Sequence, residues 1–272
     1  MQPEPKKLDT APTADRRIDD RAPGPERGRW RARRWALWLP NGLLHWLWRI
    51  HYARQIRRGT FGTDEPAYRS LEHLLQPGDV AIDVGANVGR YALRMAELVG
   101  PTGCVLALEP VPETAAVLLA NVMRSGHRHV AVLQAAASDR CEISRLRVPV
   151  RETGFAAHYF AHLVDDPANA AADQTVPVAC CTIDAIGADL RVALVKIDVE
   201  KHETKVLKGM ARTASRARPF ILIEPTSDEP AALLGTWGYE GRRLGDSQDW
   251  LFWPREKQSR VRRALESASA RV

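Results

Sequence analysis

The chain predicts an α/β domain built on a doubly wound parallel sheet, and three observations carry that expectation. The apolar run Val80-Ala81-Ile82 reaches Asp83 and then the glycine-bracketed turn Gly85-Ala86-Asn87-Val88-Gly89, which opens a helix. A second apolar run, Val105-Leu106-Ala107-Leu108, delivers Glu109 at its end. Short apolar strands and amphipathic helical segments then alternate as far as Trp253, the pattern of strands covered by helices on both faces. Strand, glycine turn, helix and second strand form the βαβ unit of a nucleotide-type cofactor site. A carboxylate after the second strand is placed to accept hydrogen bonds from both hydroxyls of a ribose.

The elements follow in order. Residues 1–28 are rich in Pro, Gly and charge and offer too little apolar surface to offset chain ordering, so they predict a disordered tail. Residues 29–60 form a basic extension. Between Trp30 and Trp48 lie five of the eight tryptophans, set among arginines, and Pro40-Asn41-Gly42 divides two short helical candidates. Leu43, Leu47 and Ile50 have the spacing of an inward face. An N-terminal helical cap is expected here, and contact with a membrane surface through residues 30–58 is the competing reading, because indole and guanidinium side chains both suit a lipid interface.

The main domain is expected over residues 61–254. It opens with a helix over 64–75, capped by Asp64 with Pro66 in its first turn, and Gln76-Pro77-Gly78-Asp79 stops it. Strand one leads into a helix from Asn87 to Val99 that ends at Gly100-Pro101. Strand two over 104–109, a helix over 112–124 and strand three over 129–136 follow. Residues 143–150 and 176–183 predict strands, and the irregular stretch Arg151 to Thr175 between them is long enough to cover a pocket. Strand four, Val192 to Asp198, is nearly continuous in its apolar part, as a central strand buried on both faces should be. Strand five is Phe220 to Glu224, followed by a helix near 228–236 and a hairpin of strands near 239–244 and 250–253. Residues 255–272 predict a basic helix or frayed tail.

Charge is unevenly placed. Residues 1–60 carry fourteen Lys or Arg against six Asp or Glu, residues 61–253 nineteen against twenty-five, and residues 254–272 six against two. The overall +6 therefore comes from the ends, and an acidic central domain is a poor partner for phosphate backbones. Nucleic acid is not expected as a substrate. Cys104, Cys141, Cys180 and Cys181 include no C-x-x-C pair, and no apolar run reaches the ~18 residues of a membrane span. A reduced, cytoplasmic setting is expected.

The turn itself discriminates between cofactors. A dinucleotide fingerprint needs a middle glycine so that the backbone can approach a pyrophosphate, and here Ala86-Asn87 stands in its place. S-adenosylmethionine has no pyrophosphate, and Asp83 can pair with its ammonium group or hold the turn that does. The expectation is S-adenosylmethionine. A nicotinamide-dependent oxidoreductase is the alternative, and a non-catalytic module that keeps the cofactor fold is a third. Residues at the ends of strands one, four and five should face one crevice, which gathers Asp83, Asp198, Glu200 and Glu224. Alternation along Lys196-Ile197-Asp198-Val199-Glu200 sends Lys196, Asp198 and, if the strand continues, Glu200 to one side. Asp198 is the first choice for the group beside the reacting methyl and the acceptor. Glu200 and His202 are alternative bases, and His158 is a further one. Asp198, Glu200, His202 and Glu203 could also hold a divalent metal that polarises a substrate hydroxyl, but no tight motif such as H-E-x-x-H occurs, and the expectation is a site without a metal.

Taken together these segments resemble the FkbM-type family of S-adenosylmethionine-dependent methyltransferases. The resemblance rests on Pro77-Gly78-Asp79, Asp83-Val84-Gly85-Ala86-Asn87-Val88-Gly89, Glu109-Pro110, Asn121, Thr182-Ile183-Asp184 and Lys196-Ile197-Asp198-Val199-Glu200, with Glu203, Val206-Leu207 and Gly209, in one order over roughly residues 61–253. It implies a class I methyltransferase fold, whose seven-stranded sheet has its last strand antiparallel. It also implies methylation of hydroxyl oxygens on sugars, polyketides or other specialised metabolites. By the same resemblance, Asp83, Gly85, Asn87 and Gly89 surround the methionine end of the cofactor, Glu109 meets the ribose, Ala136 lies beside the adenine and Asp198 lines the reaction site. The sequence departs from the family at Lys201, where the family usually has glycine. The Trp-rich extension lies outside the resemblance.

Overall fold

A computed structural model describes residues 41–148, 161–164, 174–187 and 189–269. The expected tail over 1–28, residues 29–40 of the Trp-rich extension and most of the expected cover over 151–175, His158 included, lie outside the described residues. Helix α1 (Asn41–Arg57) is followed by α2 (Pro66–Leu74), β1 (Val80–Val84), α3 (Arg90–Val99), β2 (Cys104–Leu108), α4 (Pro112–Ser125), β3 (Val130–Leu133) and β4 (Ala136–Ala137). Next come β5 (Glu142–Val148), β6 (His162–Val164), β7 (Gln174–Cys181), α5 (Ile183–Ile186), β8 (Val192–Ile197), α6 (Glu203–Lys208), α7 (Ala211–Ala217) and β9 (Phe220–Ile223). Helix α8 (Glu229–Thr236), the hairpin β10 (Tyr239–Arg243) and β11 (Trp250–Pro254), and α9 (Gln258–Ser269) complete the chain.

Seven strands form the main sheet in the order β10-β11-β9-β8-β1-β2-β3. Neighbours from β9 through β8, β1 and β2 to β3 are parallel, whereas β11 runs antiparallel to both β9 and β10. The apolar runs of β1, β8 and β9 explain their central places. Along β1 and β9, Ala81 and Leu222 face one layer, made largely by α2, α3, α4 and α9, while Ile82, Val84, Ile221 and Ile223 face the other, where Val206, Leu207, Met210 and Leu234 of α6 to α8 meet them. Helix α9 lies against α2 and buries Val261 and Ala264.

Several boundaries differ from the sequence expectation, each for a local reason. Helix α2 starts after Glu65 rather than Asp64, and the Glu65 carboxylate makes no cap bond because it accepts the Tyr91 hydroxyl at 2.6 Å. Helix α3 starts at Arg90, three residues later than expected. Asn87 at φ 50° and Gly89 at φ 93° keep the backbone left-handed up to that point. The single strand expected over 129–136 is two strands: β3 stops at Leu133, and Ala136–Ala137 leaves the main sheet to pair with β7. Residue 183 does not end a strand. Thr182 caps α5 by accepting the Ala185 N–H at 3.0 Å, which turns the chain into a helix one residue after Cys181.

The strands expected near 143 and 176 belong to a second sheet of order β4-β7-β5-β6, whose own small core is Val111, Ala136, Leu146, Val148, Val178 and Cys180. The stretch expected to be one irregular cover is therefore partly strand. Its residues 162–164 are β6, which pairs with β5, and Gln174 and Thr175 already belong to β7.

Candidate active site

The turn after β1 is built by close backbone approach. The N–H groups of Gly85 and Ala86 both donate to the Leu108 carbonyl, at 3.0 and 2.9 Å, and the Asp198 N–H donates to the Val84 carbonyl at 3.0 Å. A Cβ on Gly85 would lie 2.0 Å from the Asp198 carbonyl oxygen, so only glycine lets the β8 end pass so near. Asn121, buried on α4, donates its side-chain amide to the Val88 carbonyl at 2.9 Å and pins the far side of the turn. These contacts hold open a cleft of about 780 Å³, counting the part open to solvent.

Glu109 follows β2 and is buried beneath the turn. Its Oε2 accepts the Asn87 N–H at 2.9 Å and its Oε1 the Val111 N–H at 3.0 Å. Each oxygen keeps a second lone pair, the arrangement that receives a vicinal diol. Burial pushes this carboxyl up to about 7 despite those two N–H groups, and the charges of Asp83 and Asp198 add to the rise. Around Glu109 the wall is apolar, with Pro110, Val111, Ala135, Ala136, Leu146 and Leu163 suited to the faces of a purine ring.

Of the residues expected in the site, Gly85, Asn87, Glu109, Ala136, Asp198, Glu200 and His202 line this cleft together. Gly89 does not. It caps α3 at the back of the turn, where an added Cβ would meet Leu118 at 2.6 Å. Asp83 also stays out of the lining, because alternation along β1 turns it to the α3 side of the sheet. There it is fully buried with both carboxylate oxygens unpartnered, and burial pushes it up to about 6, the charge of Lys196 holding it down in part. Lys196 lies opposite it in the β1–β8 register, with its Nζ 2.7 Å from Asp198 Oδ2 and 4.4 Å from the centre of the Tyr91 ring. Burial works to lower this ammonium, but Asp198 and Asp83 outweigh it and hold it above the usual lysine value.

Strand β8 ends at Ile197, so Glu200 reaches the cleft through a turn rather than by strand alternation. Burial raises its carboxyl, and Asp198 and Glu203 raise it further. Glu224, just past β9, is pushed up to about 7 by burial and by Asp198, Asp249 and Glu200. His202 spends its Nε2 on the Ser138 hydroxyl at 2.9 Å, which ties the start of α6 to the segment after β4.

The turn from Asp198 to His202 contains Lys201 at φ 59°. A side chain in that left-handed region is strained, which explains why a glycine is the usual occupant in the family that the sequence resembles. Lys201→Gly is expected to stabilise the protein by about 1 kcal/mol. A urea midpoint that is unchanged or lower would contradict this.

Sequence reasoning missed His162 and Leu163, which line the cleft from β6. Three residues carry no periodic signal, and nothing in them points to the site. It also left Asp184 without a role. The Asp184 carboxylate accepts the N–H groups of Arg212 and Thr213 and the Thr213 hydroxyl, at 3.0, 2.7 and 2.7 Å, and so caps α7. Among the described residues, no group of three or more His, Cys, Asp or Glu is arranged to hold a metal ion.

A sheet of this order with one antiparallel strand, and a cleft beyond the carboxyl ends of its strands floored by a glycine turn and a buried carboxylate, define a class I S-adenosylmethionine-dependent methyltransferase. The family model described as the methyltransferase FkbM domain matches residues 83–251, and the chain belongs to that family. The 31-O-demethyl-FK506 methyltransferase FkbM of Streptomyces tacrolimicus is 34% identical over 161 residues, which are 50% of this chain and 61% of that protein. The chain thus spans about three-fifths of that relative's length. A protein-L-isoaspartate O-methyltransferase of Aeropyrum pernix is 44% identical over 55 residues, 20% of this chain and 21% of that protein. Among solved structures, a methyltransferase FkbM from Methylobacillus flagellatus KT aligns with 15% identity and a TM-score of 0.47, covering 76% of this chain and 60% of its own.

The residues fit the donor. S-adenosylmethionine supplies an electrophilic methyl group on a sulfonium; Glu109 would hold its ribose, Ala136 and Leu146 would face its adenine, and the carboxylates of Asp198 and Glu200 suit its positive sulfur.

Proposed function

We propose that this chain transfers a methyl group to a hydroxyl oxygen of a sugar or specialised metabolite, with Asp198 as the base that takes the hydroxyl proton. The supporting observation is the place of Asp198. Its side chain is 52% exposed and lines the cleft, its own carbonyl oxygen passes against Gly85, and Lys196 holds Oδ2 at 2.7 Å. Methyl transfer to oxygen asks the protein to align the acceptor, exclude water and receive one proton. A fixed carboxylate beside the cofactor turn meets the last of these needs, and Glu200 stands next to it for orienting further hydroxyls. A relative whose name places its reaction at an oxygen supports the same reading. Nucleic acid stays outside this proposal because the domain that carries the cleft is acidic.

The test is incubation of the full chain with methyl-labelled S-adenosylmethionine and a panel of sugars, macrolides and phenols. The expected product is one methylene heavier and carries an ether that survives mild base. Label recovered on nitrogen, or as a base-labile ester, would overturn the assignment to hydroxyl oxygen while leaving the methyltransferase class intact.

A further inference from the structure

We propose that the face formed by α1 and α4 is a docking surface for an anionic lipid bilayer. Helix α1 turns Tyr52 and Ile56 toward the core and leaves His51, Arg54 and Arg57 exposed, with Arg58 exposed just beyond it. It packs along α4. Helix α4 buries Leu118, Asn121 and Val122 but leaves Leu119 48% and Met123 76% exposed. Four residues apart, these two form one apolar stripe, and Arg124 and Arg128 are exposed after it. Ile56 and Ser125 line one open cleft, so the C-terminal ends of the two helices border the same space.

Among the described residues, Arg54, Arg57, Arg58 and Arg128 are in no ion pair. Exposed guanidinium groups and protruding Leu and Met side chains on one packed helix pair match the two parts of a membrane interface, the phosphates and the first methylenes beneath them. Phosphate polymers such as nucleic acid would use the arginines but leave the apolar stripe without a partner. The chain just before α1 is of the same character, with Trp30, Trp35 and Trp38 among Arg29, Arg31, Arg33 and Arg34. No described helix is long and apolar enough to cross a membrane, so the contact is with the surface. Helix α4 begins directly after Val111 at the cofactor cleft and runs about 20 Å away from it, which leaves the cleft clear when its far end is docked.

The test is vesicle flotation of the full chain at about 0.1 M salt, with phosphatidylcholine vesicles that either contain roughly one-third phosphatidylglycerol or contain none. Wild type should partition at least about tenfold more strongly to the anionic vesicles, and both R54E/R57E/R58E and L119Q/M123Q should lose about tenfold of that partition. S-adenosylhomocysteine binding, measured on the same preparations, should be unchanged. If charge reversal impairs that binding, R54Q/R57Q/R58Q takes its place. Three outcomes would overturn the proposal: no preference for anionic vesicles, either variant floating like wild type, or lipid-free self-association that is lost in L119Q/M123Q.

Discussion

Gly85→Ala is expected to abolish S-adenosylmethionine binding and to destabilise the protein by about 3 kcal/mol or more. Two independent costs converge at this position. The backbone is left-handed at φ +77°, which alone disfavours a side chain by about 1 kcal/mol. The added Cβ would also overlap the Asp198 carbonyl oxygen at 2.0 Å and approach its carbon at 3.0 Å. That carbonyl cannot retreat alone, because the Asp198 N–H is bonded to the Val84 carbonyl and β8 is held in the parallel ladder beside β1. Relief must part the two central strands or unwind the turn, and either movement removes Asp198 and Asn87 from the cleft. Gly126 is the internal control. It too is left-handed, at φ +79° and ψ 1°, but no atom lies within 4 Å of its Cβ position, so Gly126→Ala should cost only about 1 kcal/mol and leave binding intact. Urea unfolding and calorimetry with S-adenosylhomocysteine on both variants make the comparison. Similar losses in the two would show that conformational freedom, rather than the approach of β8, sets the value of Gly85.

The contrast between these glycines shows where the sequence was readable. Gly85 and Gly89 bracket a turn between an apolar strand and an amphipathic helix, and Glu109 closes a second apolar strand, so both positions follow from periodicity and turn chemistry. The central strands were equally plain, because burial on both faces demands a continuous apolar run, as in Val192 to Ile197 apart from Lys196. Lys196 breaks that run, and its reason is tertiary: it compensates Asp83 from the neighbouring strand and Asp198 from its own. Pattern alone could not say that Asp83 lies buried behind the sheet rather than in the cleft, since alternation assigns a face but not what covers it. The second sheet was hidden for a related reason. Its β4 has two residues and its β6 three, too few for an alternating signal, and pairing with distant β5 and β7 specifies them. His162 therefore enters the cleft from a segment with no local signature. Lys201 carries a left-handed backbone that no propensity would assign to lysine. Only comparison with a pattern that has glycine there marks the position.

Replacing Glu109 should give the largest loss of cofactor affinity without loss of fold. In Glu109→Ala the N–H groups of Asn87 and Val111 lose their acceptors, and a ribose held by this carboxylate would lose both of its partners. Hydrogen bonds to a charged group are worth about 1.5–3 kcal/mol each, so an affinity decrease of at least about a hundredfold for S-adenosylhomocysteine is expected. Glu109→Gln keeps the shape but presents an NH2 group to one of those N–H donors, and should fall between the two. The pH dependence separates charge from shape. With Glu109 at about 7 and Asp83 at about 6, the folded apo protein holds protons, over the interval from the ordinary carboxylate range up to those values, that the unfolded chain has already released. The unfolded state then binds fewer protons than the folded one, so apo stability must decline as pH rises through this window. Cofactor affinity runs the opposite way, because the ribose hydroxyls and both backbone N–H groups need an ionised acceptor, and it should increase as pH rises from about 6 to about 8. Opposed trends of stability and affinity in one protein distinguish a buried carboxylate kept for ligand binding from one kept for the fold. In Glu109→Gln the affinity should become nearly flat with pH, while the part of the stability slope that comes from Asp83 persists. If wild-type affinity is itself flat over this range, Glu109 is not the group that receives the ribose.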